Sequence, residues 1–82
     1  MTPGQMLVSP ATQARFRVVE TSSDGSRAVV EGVRTGGRLL VRGDGRGGYW
    51  ATLVTDTGES GPSLFASLIP RGARFRLREA GA

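Results

Sequence analysis

Cysteine, histidine and lysine are all absent from this chain of 82 residues. Without cysteine there is no disulfide, no thiolate nucleophile and no cysteine-based zinc site. Without histidine there is no Ser-His-Asp triad, no imidazole proton shuttle and no nitrogen ligand for a metal. All 11 basic residues are arginines, so Schiff-base, Ser-Lys and Walker-A lysine chemistry are also missing. We therefore expect a protein that is not an enzyme and that has neither a cofactor nor a metal site.

Long apolar segments are absent as well. Residues 1–10 have no basic region, and their one apolar run, Met6-Leu7-Val8, is too short for a signal peptide or a membrane span. Together with the missing cysteines, this favours a cytoplasmic protein with no membrane partner. A chain of this length suits one small domain without a large buried pocket. We assign residues 1–13 to an N-terminal arm, 14–79 to the domain and 80–82 to a tail.

Glycine is abundant, with 13 residues, and it separates short apolar segments as in strands joined by tight turns. Between the last two strands, the helical spacing of Leu64, Phe65, Leu68 and Ile69 predicts a short helical turn that ends at Pro70. The predicted fold is all-β, a small five-stranded antiparallel barrel that is SH3-like, with an OB-like barrel as the second option. The five predicted strands are residues 14–20, 27–34, 38–42, 49–55 and 73–79.

Two short motifs resemble those of known families. Ile69-Pro70-Arg71-Gly72 is similar to a turn in the second cupin motif, which leaves a small jelly-roll fragment as a third fold option, although the chain has no histidine to bind a metal. Asp56-Thr57-Gly58 resembles the Asp-Thr-Gly of retroviral-type aspartic proteases. Too little chain follows it to surround a pair of catalytic aspartates, so we interpret it as a turn. An enzyme would have to use Asp56 or Glu59 alone as its acid or base.

The most specific feature is a repeated segment. Residues 14–20, here the first repeat, and residues 73–79, the second repeat, share Ala-Arg-Phe-Arg and a closing glutamate. In a strand, the phenylalanine and glutamate fall on the inward face and the arginines on the other. The first and last strands of a closed barrel are commonly neighbours, so we expect the two repeats to pair. The outer stripe would then contain Arg15, Arg17, Arg74, Arg76 and Arg78.

The two repeats hold most of the net charge, which is +4 for the whole chain. The first carries two arginines and one glutamate, and the second carries three arginines and one glutamate. Like charges opposite each other on neighbouring strands destabilise a sheet by roughly 0.2–1 kcal/mol per pair. A bound polyanion would offset this repulsion, so we predict a binding module that contacts a nucleic-acid backbone through the stripe. An acidic protein surface is the other partner considered, and arginines that are simply solvated are the alternative without a partner.

Aromatic residues are few, and only Tyr49 and Trp50 are candidates for stacking on bases. Because neighbours along a strand point to opposite faces, we expect one of them in the core and the other at the surface. Leu40 has outward parity between Leu39 and Val41. A second hypothesis is therefore a protein-interaction or assembly module, including a homo-oligomer, that uses Leu40, Tyr49 and Trp50.

Overall fold

The computed structural model describes residues 1–59 and 61–80, and this part of the chain is all-β. Each strand pairs antiparallel with the next, and the first also pairs with the last, so the sheet closes into a ring. A 3-10 turn, Leu64–Ser67, precedes the last strand, as the sequence predicts. The strands are β1 (Met6–Val8), β2 (Arg15–Thr21), β3 (Arg27–Gly32), β4 (Arg38–Gly43), β5 (Gly48–Asp56) and β6 (Leu68–Glu79).

The described part of the chain has six strands. The prediction of five strands was wrong because it omitted the short strand β1. Leu7 of β1 pairs with Phe16 of β2 on one side and with Glu79 of β6 on the other. Three residues are too few to show the alternation that identifies a strand in sequence, but the complete burial of Leu7 holds this segment in the ring. The predicted direct pairing of the two repeats was also wrong, because β1 lies between them.

The helical turn is shorter than the spacing of apolar residues predicts. Leu68 and Ile69 belong to β6, and Pro70 lies inside that strand, opposite Val54 of β5. Proline is tolerated there because β1 reaches only the far end of β6, so β6 is an edge strand at this point. Within the described residues, no helix has the length and apolar character that crossing a membrane requires. Residues 81–82 of the predicted tail lie outside the described residues.

The core fills the inside of the ring. Alternate residues of every strand point inward, as a period of two requires. Phe16, Tyr49 and Phe75 are half-buried and pack against this core. The buried members are Leu7, Val18, Ala28, Val30, Leu39, Val41, Ala51 and Leu77.

A bulge in β2 reverses the predicted direction of Glu20. Val18 pairs with Val30 in the core, but the register then shifts, and Glu20 pairs with the outward residue Val29. The Glu20 carboxylate accepts hydrogen bonds from the backbone N–H of Leu64, at 2.7 Å, and from the hydroxyl of Ser63. Glu20 thus holds the 3-10 turn against the outside of the ring, where Val29 is fully buried even though it lies outside the inner core.

Candidate functional site

A row of basic and aromatic side chains crosses the outer face of four neighbouring strands. Arg27 of β3 pairs with Arg42 of β4, Arg42 pairs with Trp50 of β5, and Trp50 pairs with Arg76 of β6. Directly paired residues project from the same face of a sheet, so all four side chains point outward together. Three steps between strands give the row a length of about 14 Å. With Arg74, which lies one outward position along β6, these residues form what we call the tryptophan face.

Trp50 orders two of these arginines. The guanidinium carbon of Arg76 lies 3.8 Å from the centroid of the Trp50 ring, and that of Arg74 lies 4.4 Å from it. Both distances are well inside the range of a cation–π interaction. A guanidinium stacked on an aromatic ring keeps its N–H groups at its edge, where they can bind a phosphate. The ring of Trp50 therefore acts by positioning two arginines, since these guanidinium groups occupy the space over it.

Asp44 is the acidic residue that contacts the tryptophan face. Its carboxylate accepts a hydrogen bond from the backbone N–H of Arg46, at 2.7 Å, and forms an ion pair with the guanidinium of Arg76. The N–H of Arg46 first, and then the guanidinium of Arg76, lower the pKa of Asp44 below its ordinary value. The same side chain accepts from the N–H of Gly48, at 3.1 Å, so it also closes the loop between β4 and β5.

The other arginines of this face form no ion pair with a carboxylate in the described part of the chain. Among residues 1–59 and 61–80, no carboxylate lies within the 4.0 Å limit of an ion pair with Arg27, Arg42 or Arg74. Four arginines and one aspartate give the tryptophan face a net charge of +3. Three of the four net charges of the chain therefore correspond to this one surface.

Three further carboxylates, those of Asp24, Glu31 and Asp56, have hydrogen-bond or ion-pair partners outside the tryptophan face. Glu31 and Asp56 both pair with Arg38, at 3.8 and 3.5 Å. Glu31 is four residues along β3 from Arg27, a separation of about 13 Å. Asp24 lies in the turn after β2, where the N–H of Ser26 and then the hydroxyls of Ser22 and Ser26 lower its pKa, and the charge of Arg27 lowers it least. Asp56, one of the two acids considered for an enzyme, also accepts a hydrogen bond from the N–H of Gly58, at 2.9 Å, and shapes a turn.

The five arginines of the predicted stripe lie in two separate places. Arg74 and Arg76 belong to the tryptophan face. Arg17 pairs with Met6 on one side and with Glu31 on the other. Arg15 and Arg78 lie on either side of Val8, at the closure of the ring. The structure thus places two of the five around Trp50 and separates the first repeat from the second by one strand.

The candidate interface residues also divide by face. Tyr49 points inward and packs against the core, and its hydroxyl accepts a hydrogen bond from the side-chain amide of Gln5, at 3.2 Å. Trp50 points outward, as alternation along the strand requires. Leu40 points outward too, but it is only half-exposed, since it lines a cavity beside Trp50.

This cavity, here the Phe65 pocket, has a volume of about 280 Å³ and lies between the 3-10 turn and the outer face of the sheet. Leu40 and Thr52, which are paired in register, both line it. Phe65 comes from the 3-10 turn, and the guanidinium carbon of Arg27 lies 5.6 Å from the centroid of its ring. The pocket thus has aromatic residues from two elements and arginines beside both of them. Its main lining residues are Arg27, Leu40, Trp50, Thr52, Phe65 and Arg74.

Sequence reasoning missed Arg27, Arg42 and Phe65 as members of the site. The two arginines belong to different strands and carry no shared motif, so only the register between β3 and β4 brings them together. Phe65 was interpreted as part of an apolar helical turn. The signal that was available is the outward parity of Arg42 and Trp50 on consecutive strands. A search across strands for residues of the same parity could have found that pair.

Comparison of the chain with models of protein families, with curated proteins and with solved structures gives no match.

Proposed function

We propose that this protein is a non-catalytic module that binds nucleic acid by contacting the phosphate backbone with its tryptophan face. The observation that carries the proposal is the pairing of Arg27 directly with Arg42. They belong to a surface on which four arginines and the ion-paired Asp44 give a net charge of +3, and Asp44 is the one carboxylate ion-paired with it among the described residues. Two like charges in that position destabilise the isolated sheet. A row of phosphates would turn this repulsion into attraction.

The positioning of the arginines supports the same function. Arg74 and Arg76 are held over the Trp50 ring, so less side-chain entropy is lost when they bind a phosphate. A guanidinium presents a planar fork of donors that matches the oxygens of a phosphate. The row runs across the strands for about 14 Å, which is long enough to follow several phosphates of one strand.

We also propose that the closed ring is a small SH3-like barrel to which β1 has been added. The order of β2 to β6, with a 3-10 turn before the last strand, supports this description. Loops and outer faces of small barrels of this kind bind ligands without any catalytic group. A cytoplasmic location is part of the same proposal, since a nucleic-acid ligand is available there.

The test is a measurement of affinity against salt concentration, with fluorescently labelled oligonucleotides and anisotropy as the readout. Four phosphate contacts predict a slope of the logarithm of the association constant against the logarithm of salt of about −3 to −4. Arg42→Gln should weaken binding and reduce that slope by about 0.7–0.9. Arg34→Gln removes the same charge from the turn after β3 and is the matched control, which should retain the slope.

Two results would contradict the proposal. One is the absence of binding at the lowest salt concentration, and the other is an equal loss of affinity in Arg42→Gln and Arg34→Gln. The second result would mean that only the net charge matters and that the tryptophan face is not the site.

A second candidate function is assembly through an apolar surface, and one observation favours it. Leu53 and Ile69 are 45% and 54% exposed, and they lie on neighbouring strands, where Leu53 pairs with Arg71 and Ile69 pairs with Thr55. This surface is distinct from the predicted interface of Leu40, Tyr49 and Trp50. A solution mass that rises with protein concentration and does not change with salt would support assembly, and a constant monomer mass would contradict it.

A further inference from the structure

We propose that the Phe65 pocket accepts one unpaired nucleobase, so that the natural ligand of the tryptophan face is single-stranded nucleic acid. This inference rests on the proposed function and specifies its ligand. It starts from the position of the pocket, which shares Arg27, Trp50 and Arg74 with the tryptophan face. A strand whose phosphates follow that face would carry its bases directly over the opening.

The lining of the pocket suits a flat aromatic group with polar edges. Leu40, Phe65 and the rim of Trp50 supply apolar and aromatic surface, and Thr52 supplies a hydroxyl that can donate or accept a hydrogen bond. The volume of about 280 Å³ lies just below the range of about 300–1,000 Å³ that is typical of pockets for larger ligands. It therefore suits a group as small as one base and is too small for a folded segment of protein.

The charges around the pocket select the kind of molecule that carries this base. The guanidinium carbon of Arg27 lies over the Phe65 ring, at 5.6 Å, and that of Arg74 lies over the Trp50 ring, at 4.4 Å, so each aromatic residue of the pocket has a guanidinium group next to it. In a single strand, each base is attached between two phosphates. A base in the pocket would place those phosphates near the two arginines. A duplex keeps its bases paired and stacked, so it could use the arginines but not the pocket.

The pocket is also built before any ligand binds. Glu20 accepts hydrogen bonds from Leu64 and Ser63, and the Ser63 hydroxyl in turn accepts from the N–H of Phe65, at 3.2 Å. These contacts fix the 3-10 turn, and therefore Phe65, relative to the strands. A fixed aromatic wall reduces the entropy cost of stacking a base against it.

The experiment compares a single-stranded oligonucleotide with an abasic oligonucleotide of the same length and phosphate number. A duplex of that length, which carries twice the phosphates, is the third probe. Stacking of one base is worth about 1–3 kcal/mol, so we expect the single strand to bind about 10-fold more tightly than the abasic probe. Fluorescence of Trp50, the one tryptophan of the chain, gives a second readout of occupancy at the pocket. A poly-glutamate peptide serves as the acidic probe without bases.

Each outcome decides between the two proposals. Equal binding of the single strand and the abasic probe would overturn the base pocket and leave backbone binding intact. Failure of all the nucleic-acid probes to bind would overturn the proposed function and this inference with it. Binding of poly-glutamate as tight as that of the single strand would also overturn the inference, because it would indicate an acidic protein as the partner.

Two variants test the pocket itself. Phe65→Leu keeps an apolar side chain but removes the aromatic face, and we expect about a 5-fold or larger loss of affinity for the single strand with no change for the abasic probe. Leu40→Phe fills the pocket and leaves Phe65 and every arginine in place, so it should show the same selective loss even if Phe65→Leu does not fold. Equal losses for both probes, or no loss in Leu40→Phe, would contradict the proposal.

Discussion

The first and second repeats present the same Ala-Arg-Phe-Arg sequence to different surroundings. In the first repeat, Arg17 lies in register between Met6 and Glu31, and the carboxylate of Glu31 is ion-paired with Arg38. In the second repeat, Arg76 lies opposite Trp50, and Arg74 also covers the ring of that tryptophan. The two closing glutamates differ as well. Glu20 anchors the 3-10 turn on the outside of the ring, whereas Glu79 accepts an exposed hydrogen bond from Gln5.

The strand next to each repeat determines which side chains lie against its outward arginines. Both phenylalanines, Phe16 and Phe75, are half-buried against the same core, so the inner faces of the two repeats are equivalent. The outer faces differ because β5 places the ring of Trp50 under the arginines of the second repeat, whereas β3 places Glu31, which is ion-paired with Arg38, beside Arg17 of the first. A sequence motif that is duplicated within one small fold can therefore hold a binding site in one copy and not in the other.

The largest effect that would test this difference comes from removing two arginines from each repeat. Arg74→Gln with Arg76→Gln should reduce affinity for a single-stranded oligonucleotide about 30-fold, if each phosphate contact is worth about 1 kcal/mol. Arg15→Gln with Arg17→Gln removes the same charge from the same motif and should reduce affinity less than about 3-fold, through the general field alone. Anisotropy titrations at one low salt concentration measure both.

The same two double variants can contradict the proposed difference between the repeats. Both double variants retain the strand-forming residues, and their Tm values should differ little from that of the parent protein. Equal losses of affinity would show that the closure of the ring, where Arg15 lies, belongs to the binding surface too. A larger loss in the first repeat would move the site away from Trp50.

The next effect concerns the two closing glutamates and is a difference in stability. Glu20→Ala leaves the N–H of Leu64 without its acceptor and releases the 3-10 turn, so we expect the free energy of unfolding to fall by about 1.5 kcal/mol. Glu79→Ala removes an exposed hydrogen bond from Gln5, of 2.9 Å, and should cost less than about 0.5 kcal/mol. Urea unfolding of the two variants measures the difference, and equal losses would contradict the anchoring role of Glu20.

Local pattern was sufficient to predict much of this fold. Glycine-punctuated apolar segments indicate an all-β chain, and apolar residues at helical spacing indicate a turn before the last strand. Alternation along β5 predicts that Tyr49 and Trp50 point to opposite faces, and the structure has Tyr49 against the core and Trp50 outside. Each of these features depends on residues that are close together in the sequence.

The features that were missed depend on residues far apart in the sequence. The three residues of β1 become a strand only because β2 and β6 leave a gap that Leu7 fills. The bulge beside Val19 turns Glu20 outward, and no glycine or proline marks it. The pairing of Arg27 with Arg42 depends on the register between β3 and β4. The turn between these two strands can be recognised in the sequence, but the register cannot. The site was therefore only partly predictable, since Arg74, Arg76 and Trp50 were candidates and their partners were not.

The smallest effect concerns Asp44. It forms an ion pair with Arg76 of the second repeat, and among the described residues neither arginine of the first repeat has such a partner. At neutral pH its carboxylate competes with a phosphate for the same guanidinium. Asp44→Asn removes the charge, while the amide oxygen can still accept from the N–H groups of Arg46 and Gly48, so the loop should keep its shape. We expect affinity for the oligonucleotide to rise about 2- to 4-fold and the salt dependence to become steeper.

The pH dependence of stability gives an independent check on the same residue. Because the pKa of Asp44 is lowered in the folded protein, its contribution to stability is complete above the ordinary value of 3.8 and is lost as pH falls below it. Asp44→Asn should therefore flatten the loss of stability between neutral and strongly acidic pH, a change that acid titration of Tm can detect. Asp24→Asn is the control, since hydrogen bonds from Ser26 and Ser22 also lower the pKa of Asp24. The charge of Arg27 is the smallest of the causes, and Asp24 forms no ion pair with the tryptophan face among the described residues. Both variants should flatten the acid limb, and Asp44→Asn, which frees an ion-paired arginine, should raise affinity more than Asp24→Asn. An equal rise in both would show that net charge alone sets the binding strength.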